Sequence, residues 1–425
     1  MDKKQTLFPM VIIGILFFIF GFVTWLNGSL IPFLKVICDL NDFQALFVTF
    51  AFYIAYTVMA FPMSFLLDKI GYKDGMALGL GVMVIGSLLF IPAAQGADFS
   101  IFLVALFTLG TGLTILQTAS NPYIVHIGPL ESAAMRISIM GLINKGAGVI
   151  VPLLFTALIL SDMGTMQDLS AEAKDELAQR LIMPYIVMAV VLTGLIALVK
   201  FSELPEIVFE EEEFKGKKNI LDFPRVVMGA IALFFYVGIE VIAGDTIGLY
   251  GQYLGLENTT ALTSYTMMFM VFGYIIGVAL IPKYISQEKA LIYSAIFGIL
   301  FLVGVVASSG VSHSISEFLW GWMGITTLPN TITFVALLGF ANALVWPTIW
   351  PLALEGLGKY TAQGSALLIM GIAGGAILPL VFGKISDVSG DMQSTYMLGI
   401  VCYVFILMYA LKWHKITSWK SLDSE

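Results

Sequence analysis

The chain has 425 residues, of which 59% are hydrophobic and only 12% are charged. Soluble domains carry about 25% charged residues, so this composition excludes an ordinary water-soluble fold and predicts a membrane protein. The net charge of −8 provides no excess of positive charge for nucleic acid, and no nucleic-acid partner is expected.

Apolar stretches long enough to cross a bilayer, about 20 residues each, recur along the whole chain. Hydropathy, interrupted by Gly, Pro and clusters of charge, predicts an all-α membrane protein with twelve transmembrane helices. The first six predicted spans are 7–34, 43–67, 74–95, 100–125, 135–160 and 181–201. The other six are 225–253, 260–282, 289–309, 330–355, 362–383 and 394–412.

The charges gather in predicted loops, notably 162–176 and 210–213. The second of these loops lies in a predicted cytoplasmic linker, which separates two sets of six spans. The predicted domains are therefore a six-helix bundle at 1–201, the linker at 202–224, and a second bundle with a short tail at 225–425. Most Lys and Arg residues fall on the side that holds both termini, which predicts an inner-membrane protein with cytoplasmic termini.

The loop between the second and third spans, Ser64 to Lys73, combines an acid, two bases and a glycine. It resembles the signature loop of the major facilitator superfamily, although Ser64 stands where that family usually has Gly. By this resemblance Asp68, Lys69 and Gly71 form a gating loop. Asp68 would make an electrostatic contact in one transport state and lose it in the other.

Five further segments resemble the fucose, galactose and glucose branch of that superfamily, and the match is nearer to the glucose/galactose members. The segments are Leu26–Pro32, Leu116–Tyr123, Phe235–Val241, Trp346–Trp350 and Gly356–Pro379. The resemblance implies two pseudo-symmetric bundles that alternate access to a sugar site near the middle of the membrane. A monomer with a small sugar as its substrate is expected.

Two departures from the branch concern ion coupling. The proton-driven fucose transporter has an aspartate at the position of Gly28 and a glutamate at that of Gln117, and those acids are associated with its proton coupling. Coupling by that route therefore does not carry over to this chain. Gln117 and Glu240 look like the glucose/galactose members, some of which depend on sodium. In addition, Lys145 replaces the usual Ser after Asn144.

Three charged residues lie within predicted spans, where each costs roughly 2.5 to 3.5 kcal/mol on insertion scales. Such residues usually face a cavity or a partner, so Lys145, Glu240 and Asp245 are the candidates for cation coupling. The two acids are also the candidate ligands of a sodium ion. A structural Lys145–Glu240 ion pair and a local hydrogen bond of Asp245 are the alternatives.

Sugars are bound by hydrogen-bonding side chains and aromatic faces. Helical spacing puts Gln117 on one face with Asn121, and Tyr236 on one face with Glu240. Asn144 and Trp346 match sugar-site positions of the family. The predicted sugar-binding residues, for which hydrogen bonds between helices are the alternative role, are Gln117, Asn121, Asn144, Trp346, Tyr236, Asn27 and Asn342.

The sequence has no enzyme signature and predicts no cofactor other than a coupling ion. The predicted function is secondary active uptake of a neutral hexose such as glucose, galactose or mannose, with sodium as the first choice of ion and the proton as the second. An uncoupled uniporter, an exporter of drugs or metabolites, and a sugar-binding membrane sensor remain as alternatives.

Overall fold

The computed structural model describes residues 3–126, 133–160, 169–204, 219–281, 283–355, 357 and 360–419. Within these residues, twelve helical stretches are long and apolar enough to cross a membrane, which confirms the number of predicted spans. The first six spans are formed by α1 (Lys3–Ile37), α2 (Asp42–Ala45) with α3 (Phe47–Ile70), α4 (Tyr72–Gly96), α5 (Phe99–His126), α6 (Ala133–Ile159), and α7 (Ala171–Gln179) with α8 (Ile182–Phe201).

Most of the last six spans are interrupted by a short turn or a break. They are formed by α9 (Pro224–Asp245) with α10 (Ile247–Tyr253), α11 (Thr263–Leu280), α12 (Gln287–Ala307), α14 (Asn330–Asn342) with α15 (Val345–Leu354), α16 (Thr361–Met370) with α17 (Gly374–Ser389), and α18 (Met392–Thr395) with α19 (Leu398–Leu411). The short helix α13 (Ser314–Trp320) lies in the connection between α12 and α14.

Helix α7 lies partly within the charged stretch 162–176, which was predicted to be a loop, so that prediction was wrong from residue 171 onward. This helix begins because the Ser170 side chain accepts a hydrogen bond from the Ala173 amide, a typical N-cap. Its charges are mostly exposed, which explains why hydropathy alone did not detect it.

The tenth span is broken at Ala343–Leu344, between α14 and α15 and shortly before Pro347. Proline has no N–H to donate to the carbonyl four residues earlier, and its ring clashes with that carbonyl. The carbonyl that Pro347 leaves without a donor belongs to Ala343. The break therefore lies one turn before the proline that causes it.

Close helix contacts within each set of spans depend on glycine. A Cβ atom on Gly79 of α4 would lie 2.8 Å from the carbonyl oxygen of Gly112 on α5. In the last six spans, a Cβ on Gly374 would collide with the Phe234 backbone. Small residues let membrane helices approach until their backbones touch, so each set packs tightly.

The first and last six spans bind each other at one end of the bundle. This end, which contains the last residues of α1 and α10, is called the closed side below. There the Ser29 hydroxyl donates to the Thr260 carbonyl at 2.6 Å, and the Gln252 side-chain amide donates to the Pro32 carbonyl at 3.0 Å. These bonds join the two sets of helices directly.

At the other end, called the terminal end because the described termini lie there, ion pairs join helices of the same set. Lys200 pairs with Asp74 at 2.9 Å in the first six spans, and Arg225 pairs with Glu355 at 2.8 Å in the last six. Ion pairs within the first six spans also occur on the closed side, where Lys35 pairs with Asp42 and Lys174 pairs with Asp39.

Candidate functional site

A buried ion pair joins the two sets of spans near the middle of the bundle. Lys145 Nζ of α6 lies 2.8 Å from Glu240 Oε1 of α9, and each residue is only 8% exposed. The sequence prediction left open whether these charges meet, and the structure shows that they do. Because each charge neutralises the other, neither is left uncompensated at this depth.

The indole of Trp25 fills a slot beside this ion pair. Lys145 Nζ lies 4.3 Å from the centroid of the indole, which is a cation–π contact. A Cβ on Gly148 of α6 or on Gly244 of α9 would lie 2.7 Å from an atom of the ring. The absence of side chains at these two positions therefore makes room for Trp25 between the two sets of spans.

Asn144 is held by the same part of the structure. Its side-chain oxygen accepts a hydrogen bond from the Trp25 indole N–H at 3.4 Å, and its side-chain nitrogen donates to the Phe17 carbonyl at 3.4 Å. The residue is half-buried. One lone pair and one N–H of this amide remain for another partner.

Two other predicted sugar-binding residues are half-buried, Gln117 of α5 and Trp346 of α15. The Gln117 side-chain amide donates to the Tyr56 hydroxyl at 3.0 Å. The Trp346 ring lies 6.3 Å from that of Tyr236 and 5.4 Å from that of Trp350. Amides and an aromatic face are therefore both partly accessible, as recognition of a sugar requires.

The remaining predicted sugar-binding residues are less accessible in this state. Asn27, Tyr236 and Asn342 are at most 1% exposed. The Asn342 side-chain oxygen accepts a hydrogen bond from the Tyr403 hydroxyl at 2.7 Å. Asn121 lies in α5, but its side chain is outside the described part of the structure.

Asp245 is the last residue of α9 and is completely buried. Neither carboxylate oxygen has a hydrogen-bond partner among the described residues. Lys145 and Glu240 lie within electrostatic range of it. Among the residues that the structure describes, no group of three or more His, Cys, Asp or Glu could hold a metal ion, and sodium binding by Glu240 and Asp245 stays a prediction.

The Major Facilitator Superfamily matches this chain over residues 13–378. The chain belongs to that superfamily. A glucose/galactose transporter of Brucella abortus is 35% identical over 417 residues, which cover 96% of this chain and 95% of that protein. The L-fucose–proton symporter of Escherichia coli is 26% identical over 438 residues, 96% of this chain and 94% of that one. The predicted resemblance to this branch of the superfamily is confirmed.

The superfamily fold is also found by comparison with solved structures. The crystal structure of the E. coli fucose:proton symporter has a TM-score of 0.72 and 23% sequence identity, and the match covers 97% of this chain and 100% of that one. The same transporter has been solved in a conformation described as outward. Members of this superfamily are membrane transporters rather than enzymes, so the prediction of a non-enzymatic, multi-pass protein is confirmed.

The signature loop of the superfamily joins α3 to α4. Gly71 has a φ of +83°, a conformation that glycine adopts without strain. Lys69 is exposed, whereas the Asp68 side chain is outside the described part of the structure, so its gating role stays a prediction. The nearby Lys73 donates to the Ser202 carbonyl at 2.7 Å and thereby ties this loop to the end of α8.

The departure at Gly28 from the fucose branch has a steric explanation. A Cβ on Gly28 would collide with the Thr263 hydroxyl and would lie 3.0 Å from the Gly244 carbonyl oxygen. An aspartate at position 28 would therefore not fit while the closed side is shut. The absence of that acid is consistent with the close packing of α1 on α9.

The sequence reasoning did not assign functional roles to several residues that shape this site. Tyr56 binds Gln117, and Gly148 and Gly244 form the slot for Trp25. A lone tyrosine or glycine in an apolar helix gives no local signal of such a role. Their roles depend on contacts between helices that are distant in sequence.

Proposed function

We propose that this transporter takes up a neutral hexose such as glucose, galactose or mannose together with a cation. The observation that carries the proposal is the buried Lys145–Glu240 pair, which bridges the two sets of spans close to the half-buried amide of Asn144. The names of the relatives, glucose/galactose transporter and L-fucose–proton symporter, support a sugar as substrate.

The transport cycle would move the bundles 1–201 and 225–425 against each other, with 202–224 as the linker. The Lys and Arg distribution supports an inner-membrane location in which both termini would lie in the cytoplasm. The closed side would then face outward, and opening of the terminal end would give access to the cytoplasm. An outward conformation, as named for the fucose symporter, would be the other end of the cycle.

Gln117, Asn121 and Asn144 would bind sugar hydroxyls, with Trp346 covering the apolar face of the ring. Tyr236, Asn27 and Asn342 would join them when the bundles move, since they are buried in this state. Amide side chains suit a neutral sugar because each offers both donors and acceptors without a charge to desolvate.

The role proposed for Glu240 is exchange between two cationic partners. In the structure, Lys145 occupies the carboxylate. When α6 and α9 move apart, Lys145 would withdraw and a cation from the outside would replace it. The bound cation must then raise the affinity for sugar by the same factor as bound sugar raises the affinity for the cation, because coupling between two binding sites is reciprocal.

Sodium is the ion that the sequence predicted first. The proton is supported by the names of the L-fucose–proton symporters. We therefore propose the proton as the stronger candidate and retain sodium as the competing outcome of the test.

Uptake of radiolabelled glucose, galactose and mannose into proteoliposomes would test this function, with an inward gradient of protons, of sodium, of both or of neither. We expect accumulation above the outside concentration only when the coupling gradient is imposed. Equal uptake without any gradient would show an uncoupled uniporter. No uptake of these hexoses, with retained binding of other solutes, would contradict the proposal.

The replacement Gln117→Ala is expected to weaken hexose binding about tenfold or more, because loss of one buried hydrogen-bonding group costs about 1 to 3 kcal/mol. The measurement is sugar affinity by isothermal titration calorimetry on purified protein. Gln95→Ala is the matched control, since Gln95 is exposed at the end of α4. Unchanged affinity in the Gln117 variant would remove this residue from the sugar site.

A further inference from the structure

Asp245 lies where the seventh span changes direction. Helix α9 ends at this residue, and α10 begins at Ile247. Gly244, the preceding residue, contacts Trp25, and its carbonyl accepts a hydrogen bond from the Thr263 hydroxyl at 2.7 Å. Asp245 is therefore part of the packed seal on the closed side, beyond the ion pair of Glu240.

An ionised carboxylate at this position would lack compensation from its surroundings. The residue is fully buried, and neither of its oxygens accepts a hydrogen bond from the described residues. The Lys145 ammonium is within electrostatic range but lies 2.8 Å from Glu240 Oε1, so that its charge is already neutralised there. A buried charge without its own partner is strongly unfavourable.

Among the described residues, the other titratable groups in electrostatic range of Asp245 do not supply the missing positive charge. On its own helix the group in electrostatic range is the acid Glu240, and on α3 it is the phenol of Tyr53. Beyond α18, Tyr396 hydrogen-bonds the hydroxyl of Thr246 at 2.8 Å. Thus Lys145 of α6 is the basic group that acts on Asp245, and it is already paired.

We propose that Asp245 is a proton-binding site in the seal, and that it must take up a proton from the closed side each time that side shuts. When the side opens, water reaches the carboxylate and the proton can leave to the same side. Acid on that side would therefore favour the shut arrangement. This role goes beyond the proposed function, because it sets how readily the seal forms and not which ion drives uptake.

The test measures the seal directly and needs neither sugar nor an ion gradient. In a background with Cys38→Ser and Cys402→Ser, spin labels on Gln95→Cys and Glu257→Cys place one probe on each set of spans at exposed positions of the closed side. Distances between the labels are measured by double electron–electron resonance from about pH 5 to about pH 9, a range that covers documented buried carboxyls.

In the protein with Asp245 intact, we expect the short distance to dominate in acid and a longer distance to appear in alkali. The ratio of shut to open forms should change by at most about tenfold per pH unit, the limit for one linked proton. Asp245→Asn, which mimics the neutral acid, should show the short distance at every pH. The smaller neutral variant Asp245→Ser should do the same.

Asp387→Asn serves as the matched control. Asp387 lies on the closed side, where its carboxylate accepts a hydrogen bond from the Phe43 amide at 3.2 Å, and this variant should keep the pH dependence. The proposal is overturned if the distances in the protein with Asp245 do not respond to pH, or if Asp245→Asn responds in the same way. Because no sugar is present, failure of hexose uptake would contradict the proposed function and leave this result standing.

Discussion

Replacing Lys145 by Gln is expected to slow hexose exchange about a hundredfold at neutral pH. Removing one partner of a buried ion pair costs about 3 to 5 kcal/mol because the other charge is left uncompensated, and about 3 kcal/mol corresponds to a hundredfold change. Glu240 would be that stranded charge in the state described here. The measurement is exchange of labelled for unlabelled hexose across proteoliposomes with equal concentrations on both sides.

The double replacement Lys145→Gln with Glu240→Gln should recover most of that exchange, since neither charge is then left alone. Lys200→Gln is the control: its pair with Asp74 is about half exposed on both sides, and an exposed pair contributes at most about 1 kcal/mol. If the double variant is as slow as Lys145→Gln, the ion pair is not what the single change disrupts.

Replacing Glu240 alone by Gln is expected to abolish accumulation of hexose against its gradient while exchange continues at a reduced rate. The neutral amide cannot bind a coupling cation as the carboxylate would, so a cation gradient would no longer drive uptake. Exchange should suffer less than in Lys145→Gln, since the ammonium keeps its contact with the Trp25 ring.

For Glu240→Gln, accumulation under an imposed gradient and exchange at equilibrium are measured on the same vesicles. Glu257→Gln changes an exposed acid of the closed side and should leave both rates unaltered. Full accumulation by the Glu240 variant would show that another group binds the coupling ion. If the variant loses both exchange and accumulation, Glu240 has a structural role instead.

The twelve spans could be predicted because each is a long apolar run, and most of their ends lie within a few residues of the predicted ends. The sixth span is an exception, since it begins at Ala171 and the predicted span begins at 181. Helix α7 could not be predicted in this way, since it is short and polar. Hydropathy also gave no signal of the break at Ala343–Leu344, because its position depends on which carbonyl Pro347 leaves without a donor. Hydropathy thus detects where a chain crosses a membrane better than how the backbone bends within it.

Residues of the candidate site could be predicted where a charged side chain interrupts an apolar helix. Lys145, Glu240 and Asp245 are conspicuous because charges are costly in an apolar helix. Which of them pair could not be deduced, because it depends on how α6 lies against α9. The slot for Trp25 left no signal in the sequence, since two glycines separated by nearly a hundred positions create it together.

The contact between Gly28 and Gly244 has a consequence for how transporters of this type could diversify. Where two helix backbones are in contact, the position between them has no room for a side chain. It can therefore carry either a titratable group or the close helix contact, and not both. By resemblance, the fucose transporter keeps the acid at that position. In this chain the same place serves packing, and the buried acids Glu240 and Asp245 lie on the neighbouring helix α9. Introducing an acid at position 28 would therefore require rebuilding the helix crossing as well as exchanging one residue.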